Sequence, residues 1–126
     1  MTTPFKTCLL IDDNYIDNFI TRRVLENSNF AENIIVRQSP MEAIESLKDG
    51  SVDPDVIFLD IRMPLMSGFE FLQEYDGLEI AKKGIKIYML SSSLDPTDMR
   101  QSSDNKHITQ FIHKPLTVKA LEEICQ

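Results

Sequence analysis

The sequence predicts an α/β fold: one domain built on a parallel β-sheet with helices on both faces. Two observations carry this. Short apolar runs of strand length alternate five times with amphipathic stretches of helical spacing, and strands that alternate with helices wind into a parallel sheet. The run Val56-Ile57-Phe58-Leu59 has no polar alternation at all, as a central strand covered on both faces requires. A chain of 126 residues fits one domain. It can bury about two thirds of its unfolded surface, so the core needs no disulfide or metal staple.

The first strand is expected at Thr7–Ile11. In the helix after it Ile16, Phe19, Ile20 and Val24 share one face, which should be the core face, with Asp17, Arg22 and Arg23 turned away. The second strand is Ile34–Arg37. Met41, Ile44 and Leu47 line up behind Pro40, a residue suited to a first helical turn. The third strand is Val56–Leu59, followed by a helix from near Ser67 that carries Phe69 and Leu72. The fourth strand is Ile85–Leu90. Asp95-Pro96 then starts a helix over about Asp95–Gln101, with a thin apolar face. After the fifth strand, Ile108–Ile112, Thr117 caps a short last helix running to Gln126 through Val118, Leu121 and Cys125. Loops are expected at Lys48–Asp55, Asp76–Gly84 and Ser102–His107, where Gly, Asp, Ser and Lys gather. There is no repeat or linker, so residues 1–126 read as one domain with no room for an effector domain.

The charge balance narrows the function. Twenty acidic against thirteen basic residues give a net charge of -7, which argues against direct binding of nucleic acid, since that needs a surplus of cations. No apolar run reaches the roughly 18 residues of a membrane span, and the N-terminus lacks the pattern of a secretory signal. The expected location is the cytoplasm. Cys8 lies in an apolar run and Cys125 near the end; without further ligands they indicate neither a metal site nor a disulfide. His107 and His113 lack ligand spacing and read as strand-edge residues, and the six Met, among them Met63, Met66 and Met89, read as core filler.

In open parallel sheets, sites form beyond the carboxyl ends of the strands. The residues delivered there are Asp12 and Asp13 after the first run, Asp60 after the third, Ser91 after the fourth and Lys114-Pro115 after the fifth. Each has a plain alternative. Asp12-Asp13-Asn14 can cap a helix, Asp60 can end a strand, Ser91-Ser92-Ser93 can be a solvated loop, and Lys114-Pro115 a surface turn. All five at one sheet edge are a different matter. Three carboxylates and one ammonium sum to -2, and crowded carboxylates push one another toward protonation. One divalent, oxygen-seeking cation brings the sum to zero, and Mg²⁺ suits few carboxylates plus phosphate oxygens. The alternative is one carboxyl that stays protonated.

These residues sit in longer matches. Leu9-Leu10-Ile11-Asp12-Asp13-Asn14, Val56 through Gly68 with Asp60, Met63, Pro64 and Gly68 at fixed spacing, Met89-Leu90-Ser91-Ser92, and Phe111-Ile112-His113-Lys114-Pro115-Leu116 together resemble the receiver domains of two-component response regulators, single-domain chemotaxis-type regulators among them. The resemblance covers nearly the whole chain. It implies a flavodoxin-like (βα)5 three-layer sandwich with a five-stranded sheet in the order 2-1-3-4-5. It implies a phosphorylation-dependent signalling switch, not an enzyme with a separate substrate, in which Asp60 accepts a phosphoryl group from a phosphohistidine donor. Asp13 would ligate Mg²⁺ directly, Asp12 mainly through water, and Asp60 and the backbone carbonyl of Arg62 would complete the protein ligands. Lys114 and Ser91 would contact the phosphoryl oxygens, Ser91 and Phe111 would form the switch pair, and the Lys114–Pro115 bond would be cis. The implied partners are a sensor histidine kinase or histidine phosphotransfer protein and a downstream protein that the sequence does not identify.

The chain also departs from the family's pattern. Ser92 stands where many members have Ala, and residues 105–110 lack the family's small Gly-Ala pair. Arg62 and Ser93 occupy positions that tune phosphoryl lifetime in the family. Two rival classes fit less well. A dehalogenase-type enzyme needs a second acid two residues after its nucleophile, where this chain has Arg62, and FMN binding needs a phosphate loop where this chain has two acids. A receiver-like domain that binds partners without being phosphorylated is the remaining alternative.

Overall fold

A computed structural model describes residues 3–125, the side chain of Lys82 apart. The strands are β1 (Phe5–Ile11), β2 (Ala31–Arg37), β3 (Val56–Leu59), β4 (Lys86–Ser91) and β5 (Ile108–His113). All pairings are parallel, in the order β2-β1-β3-β4-β5. The helices are α1 (Tyr15–Asn27), α2 (Pro40–Lys48), α3 (Gly68–Asp76), α4 (Pro96–Asp104) and α5 (Val118–Ile124). The expected end of the last helix at Gln126 lies outside the described residues, as do residues 1 and 2 of the expected domain span. No helix among the described residues is long and apolar enough to cross a membrane.

Alternation along buried strands divides the core in two. Leu9, Ile11, Ile57, Leu59, Ile87 and Met89 point to one face, where they pack with Ala43 and Leu47 of α2 and Phe71, Leu72 and Tyr75 of α3. Cys8, Leu10, Val56, Phe58, Tyr88 and Leu90 point to the other, against Leu25 of α1 and Leu121 of α5. There Phe30, Phe58 and Tyr88 form a column with centroids 5.7 and 5.5 Å apart. Burying side chains of this size is worth about 1.5–3 kcal/mol each. α4 differs: the residues it buries are Asp98 and Ser102, so polar contacts hold it to the domain.

Several expectations are corrected. In α1 the buried residues are Asn18, Thr21 and Leu25; of the expected face, Val24 packs partly buried on the core, while Ile16, Phe19 and Ile20 are exposed. The rotation is set by polar anchors: Asn18 Nδ2 donates to the Asp12 carbonyl at 2.8 Å, and Asp17, expected to face away, meets Lys114. β1 and β2 begin earlier than their apolar runs, because Phe5 pairs with Ala31 and Thr7 with Asn33. The expected loop over Asp76–Gly84 contains a 3₁₀ turn, Glu79–Lys83, and α4 runs three residues past Gln101.

The turn after β3 depends on Gly68. Its N–H donates to the Ile61 carbonyl at 2.9 Å, and a Cβ there would fall on the carbonyl oxygen of Asp60. Ser67 and Glu70 then close a capping box that starts α3. Gly68→Ala is expected to cost about 1–3 kcal/mol by overpacking. Gly77→Ala meets only an ordinary contact at 3.6 Å and should be neutral or slightly stabilising. Urea denaturation of the two variants checks this, and equal midpoints would refute it.

Candidate functional site

Strand register places the acids. Ile11 pairs with Leu59, so Asp12 and Asp60 emerge side by side one residue beyond. Asp60 N–H donates to the Ile11 carbonyl and Asp12 N–H to the Arg37 carbonyl, at 3.0 and 3.2 Å. Asn14, not an aspartate, caps α1 by accepting from the Asp17 N–H at 3.0 Å, which leaves both acids for the site. Asp12 Oδ1 accepts from the Asn14 N–H and Asp60 Oδ1 from the Ile61 N–H, each at 2.9 Å. Asp12 and Asp60 are buried and Asp13 is exposed. One carboxylate oxygen from each of the three lies within 4.8 Å of the others, a spacing at which hard oxygen ligands can share a divalent cation.

Lys114 joins this group from the far end of the chain. Its N–H donates to the Ser91 carbonyl at 3.0 Å, and its peptide bond to Pro115 is cis. Its ammonium donates to Asp12 Oδ2 at 2.6 Å and Asp17 Oδ2 at 2.8 Å and stands 3.6 Å from Asp60 Oδ2. Burial opposes the ammonium's charge, but the bonds to Asp12 and Asp17, with the charges of Asp60 and Asp12, hold it above its ordinary value. For Asp60, burial and then the neighbouring Asp12 charge raise the carboxyl to about 6, against the pull of Lys114 and the Ile61 N–H. Asp17 changes the expected charge sum: four carboxylates around one ammonium leave -3 when all are ionised, so a divalent cation does not by itself reach neutrality.

Ser91 is buried as the last residue of β4, and its hydroxyl accepts from the Ser93 N–H at 3.1 Å. Phe111 pairs with Met89 in β5, half-buried against the α2–α3 core, its ring 4.9 Å from His113. The Arg62 side chain turns toward α4 and donates to Asp98 Oδ2 at 2.6 Å, and the Ser93 hydroxyl donates to the same oxygen at 2.6 Å. Asp17 and Asp98 were not expected at the site. A position one helical turn beyond Asp13 was the available signal for Asp17; Asp98 reads as an ordinary first-turn acid of α4, because its charged partner, Arg62, lies 36 residues away. His107 bonds Asp76 at 2.7 Å and packs edge-on against Tyr75, a tie between α3 and the start of β5.

Comparison with known proteins agrees with this fold. The model of the response regulator receiver domain matches residues 8–126. The sensor histidine kinase CheAY of Helicobacter pylori is 29% identical over 92% of this chain, which spans only 14% of that protein. A two-component response regulator from Cytophaga hutchinsonii superposes with a TM-score of 0.85 at 30% identity, covering 95% of this chain and 93% of that one. A response regulator receiver protein from Dyadobacter fermentans gives 0.83 at 34% identity, covering 94% of each.

Because folding raises the Asp60 carboxyl, this group stabilises the metal-free fold fully below its unfolded value of 3.8 and ceases to do so as pH rises through about 6. Asp60→Asn should therefore raise the stability of the metal-free protein at pH 7.5 by about 3 kcal/mol, with the gain vanishing near pH 4. Thermal denaturation in EDTA across that range measures it. A gain independent of pH would show that the carboxylate is not the strained group.

Proposed function

The chain belongs to the response regulator receiver domain family of two-component signalling, and from that premise we propose that Asp60 takes a phosphoryl group from a phosphohistidine donor. The observation that carries the reading is the Lys114 ammonium held between Asp12, Asp17 and Asp60, beside three carboxylates close enough to share a cation. The domain reading extends over residues 1–126.

Phosphoryl transfer needs positioning and charge neutralisation more than covalent help. Asp60 Oδ1 is tied to the Ile61 N–H, which leaves Oδ2, the oxygen toward Lys114, to attack phosphorus. The P–N bond to the donor imidazole breaks as the acyl phosphate forms, and the imidazole keeps the electron pair. The Lys114 ammonium offsets charge on the phosphoryl oxygens, and the Ser91 hydroxyl donates to one of them. Asp12, Asp13, Asp60 and the Arg62 carbonyl would hold Mg²⁺, which when bound supplies further charge neutralisation. The added charge then draws Ser91 inward, and Phe111, paired with Met89 one residue before Ile112, follows into the space.

Exposed apolar side chains lie on α1 and on the loops that follow the strands at this sheet edge. Tyr15, Ile16, Phe19 and Ile20 of α1 are exposed, as are Leu65, Leu94 and Val118 in or beside the loops at the same sheet edge. Exposed apolar patches of this kind mark protein contacts, and they fit the helices of a histidine kinase or histidine phosphotransfer protein. Leu65 is held at a positive φ of 69°, which keeps it projecting at the rim. Output passes to a downstream protein by surface contacts. Both cysteines are free, in keeping with a cytoplasmic setting.

Incubation with acetyl phosphate and Mg²⁺ should add one phosphoryl group by intact mass, and the adduct should be absent in Asp60→Asn and in EDTA. An adduct that survives Asp60→Asn would put the acceptor elsewhere. Ile16→Asp should slow transfer from a phosphohistidine protein at least about tenfold, the effect of losing a central interface contact, while leaving labelling by acetyl phosphate unchanged.

A further inference from the structure

We propose that Arg62 is a second cationic contact for the phosphoryl group on Asp60, held away from it in the unphosphorylated chain by Asp98. The proposal rests on the phosphoacceptor reading above and deepens it.

The observation is a chain of bonds from the site to α4. The Asp98 carboxylate is almost fully buried, with its side chain 8% exposed, whereas its partner Arg62 is 67% exposed. Arg62 and the Ser93 hydroxyl converge on one oxygen, Asp98 Oδ2, both at 2.6 Å. The Ser93 N–H in turn holds the Ser91 hydroxyl. Asp98 thus grips two residues that the phosphorylated site has use for: an arginine two positions after Asp60, and the neighbour that restrains Ser91.

A phosphoryl group brings more charge than a carboxylate and three oxygens, and a guanidinium prefers such a partner because it can bond two oxygens in parallel. Arg62 is long and mostly in water, so swinging from Asp98 to the phosphoryl oxygens requires little repacking. Asp98 is not left bare by the exchange. It keeps the Ser93 hydroxyl, and it lies in the first turn of the nine-residue α4, where the helix dipole favours negative charge.

α4 should respond because of how it is held. The residues it buries are Asp98 and Ser102, and the Ser102 hydroxyl donates to the Asp98 carbonyl at 2.8 Å. Loss of the Arg62 bond removes a main tie between α4 and the β3–α3 loop. When Ser91 moves toward the phosphoryl group, Ser93 is drawn with it, and the bond from its hydroxyl to the same Asp98 oxygen carries the pull to α4. The exchange of Arg62 between two anions is then a mechanical link from the site to α4.

Beryllium fluoride with Mg²⁺ serves as the phosphoryl mimic, with affinity measured by calorimetry on the full chain. Binding by the wild type that is lost in Asp60→Asn supports the phosphoacceptor reading; if the wild type does not bind, that reading fails whatever the role of Asp98. Given binding, Asp98→Asn frees Arg62 and should tighten it about fivefold, the scale of a partly exposed ion pair. Arg62→Gln should weaken it, and Asp98→Asn in the Arg62→Gln background should change nothing. Equal tightening by Asp98→Asn in both backgrounds would overturn the proposal, as would no tightening in either. A second readout leaves Asp98 intact, in case its variant fails to fold. The Arg62 Nε–H NMR signal of the wild type should move on adding beryllium fluoride and Mg²⁺, and an unmoved signal would also overturn the proposal.

Discussion

The Lys114 ammonium touches carboxylates from three separate parts of the chain: Asp12 beyond β1, Asp17 on α1 and Asp60 beyond β3. Every other feature of the site depends on that meeting. Without the cation, buried Asp12 and Asp60 would face each other uncompensated, and removing one partner of a buried ion pair commonly costs about 3–5 kcal/mol. With it, the site remains overcharged, and burial plus Asp12 hold the Asp60 carboxyl near 6. That residual strain is what a divalent cation and a phosphoryl group can use, because each interacts most strongly where charge is least compensated by solvent.

Strand register turns this electrostatic requirement into a fold requirement. Asp12 and Asp60 stand together because Ile11 pairs with Leu59, and Lys114 arrives because its N–H continues the β4–β5 pairing onto the Ser91 carbonyl. Gly68 lets the turn after β3 close against the backbone of Asp60, and the Asp60 carboxylate is held by the N–H of Ile61 next to it in the chain. The two apolar cores lie beneath this edge and keep it rigid, whereas α4 hangs on polar bonds and is the element freest to answer a change of charge.

Much of this was legible in the sequence, for physical reasons. Uninterrupted apolar runs identified the strands, and acids or Lys-Pro directly after them identified the site edge, since topology alone brings strand ends together. What was not legible depends on side chains meeting across the fold. The rotation of α1 is an instance: Ile16, Phe19 and Ile20 form as good an apolar stripe as Thr21 and Leu25, and the choice between them is made by Asn18 bonding the Asp12 carbonyl and Asp17 bonding Lys114. Asp98 was equally hidden, because its value lies in Arg62, 36 residues away. Of the expected stripe, Val24 packs on the core, whereas Ile16, Phe19 and Ile20 are exposed.

The most direct measurement is a ¹³C NMR titration of the Asp60 carboxyl, with and without Mg²⁺. In metal-free protein its midpoint should lie near 6, fall on replacing Asp12 by Asn, and drop below the ordinary carboxylate range when Mg²⁺ is added. A midpoint near 4 that neither Asp12→Asn nor Mg²⁺ moves would show that the acids do not feel one another, and the chemistry assigned to Asp60 would lose its physical basis.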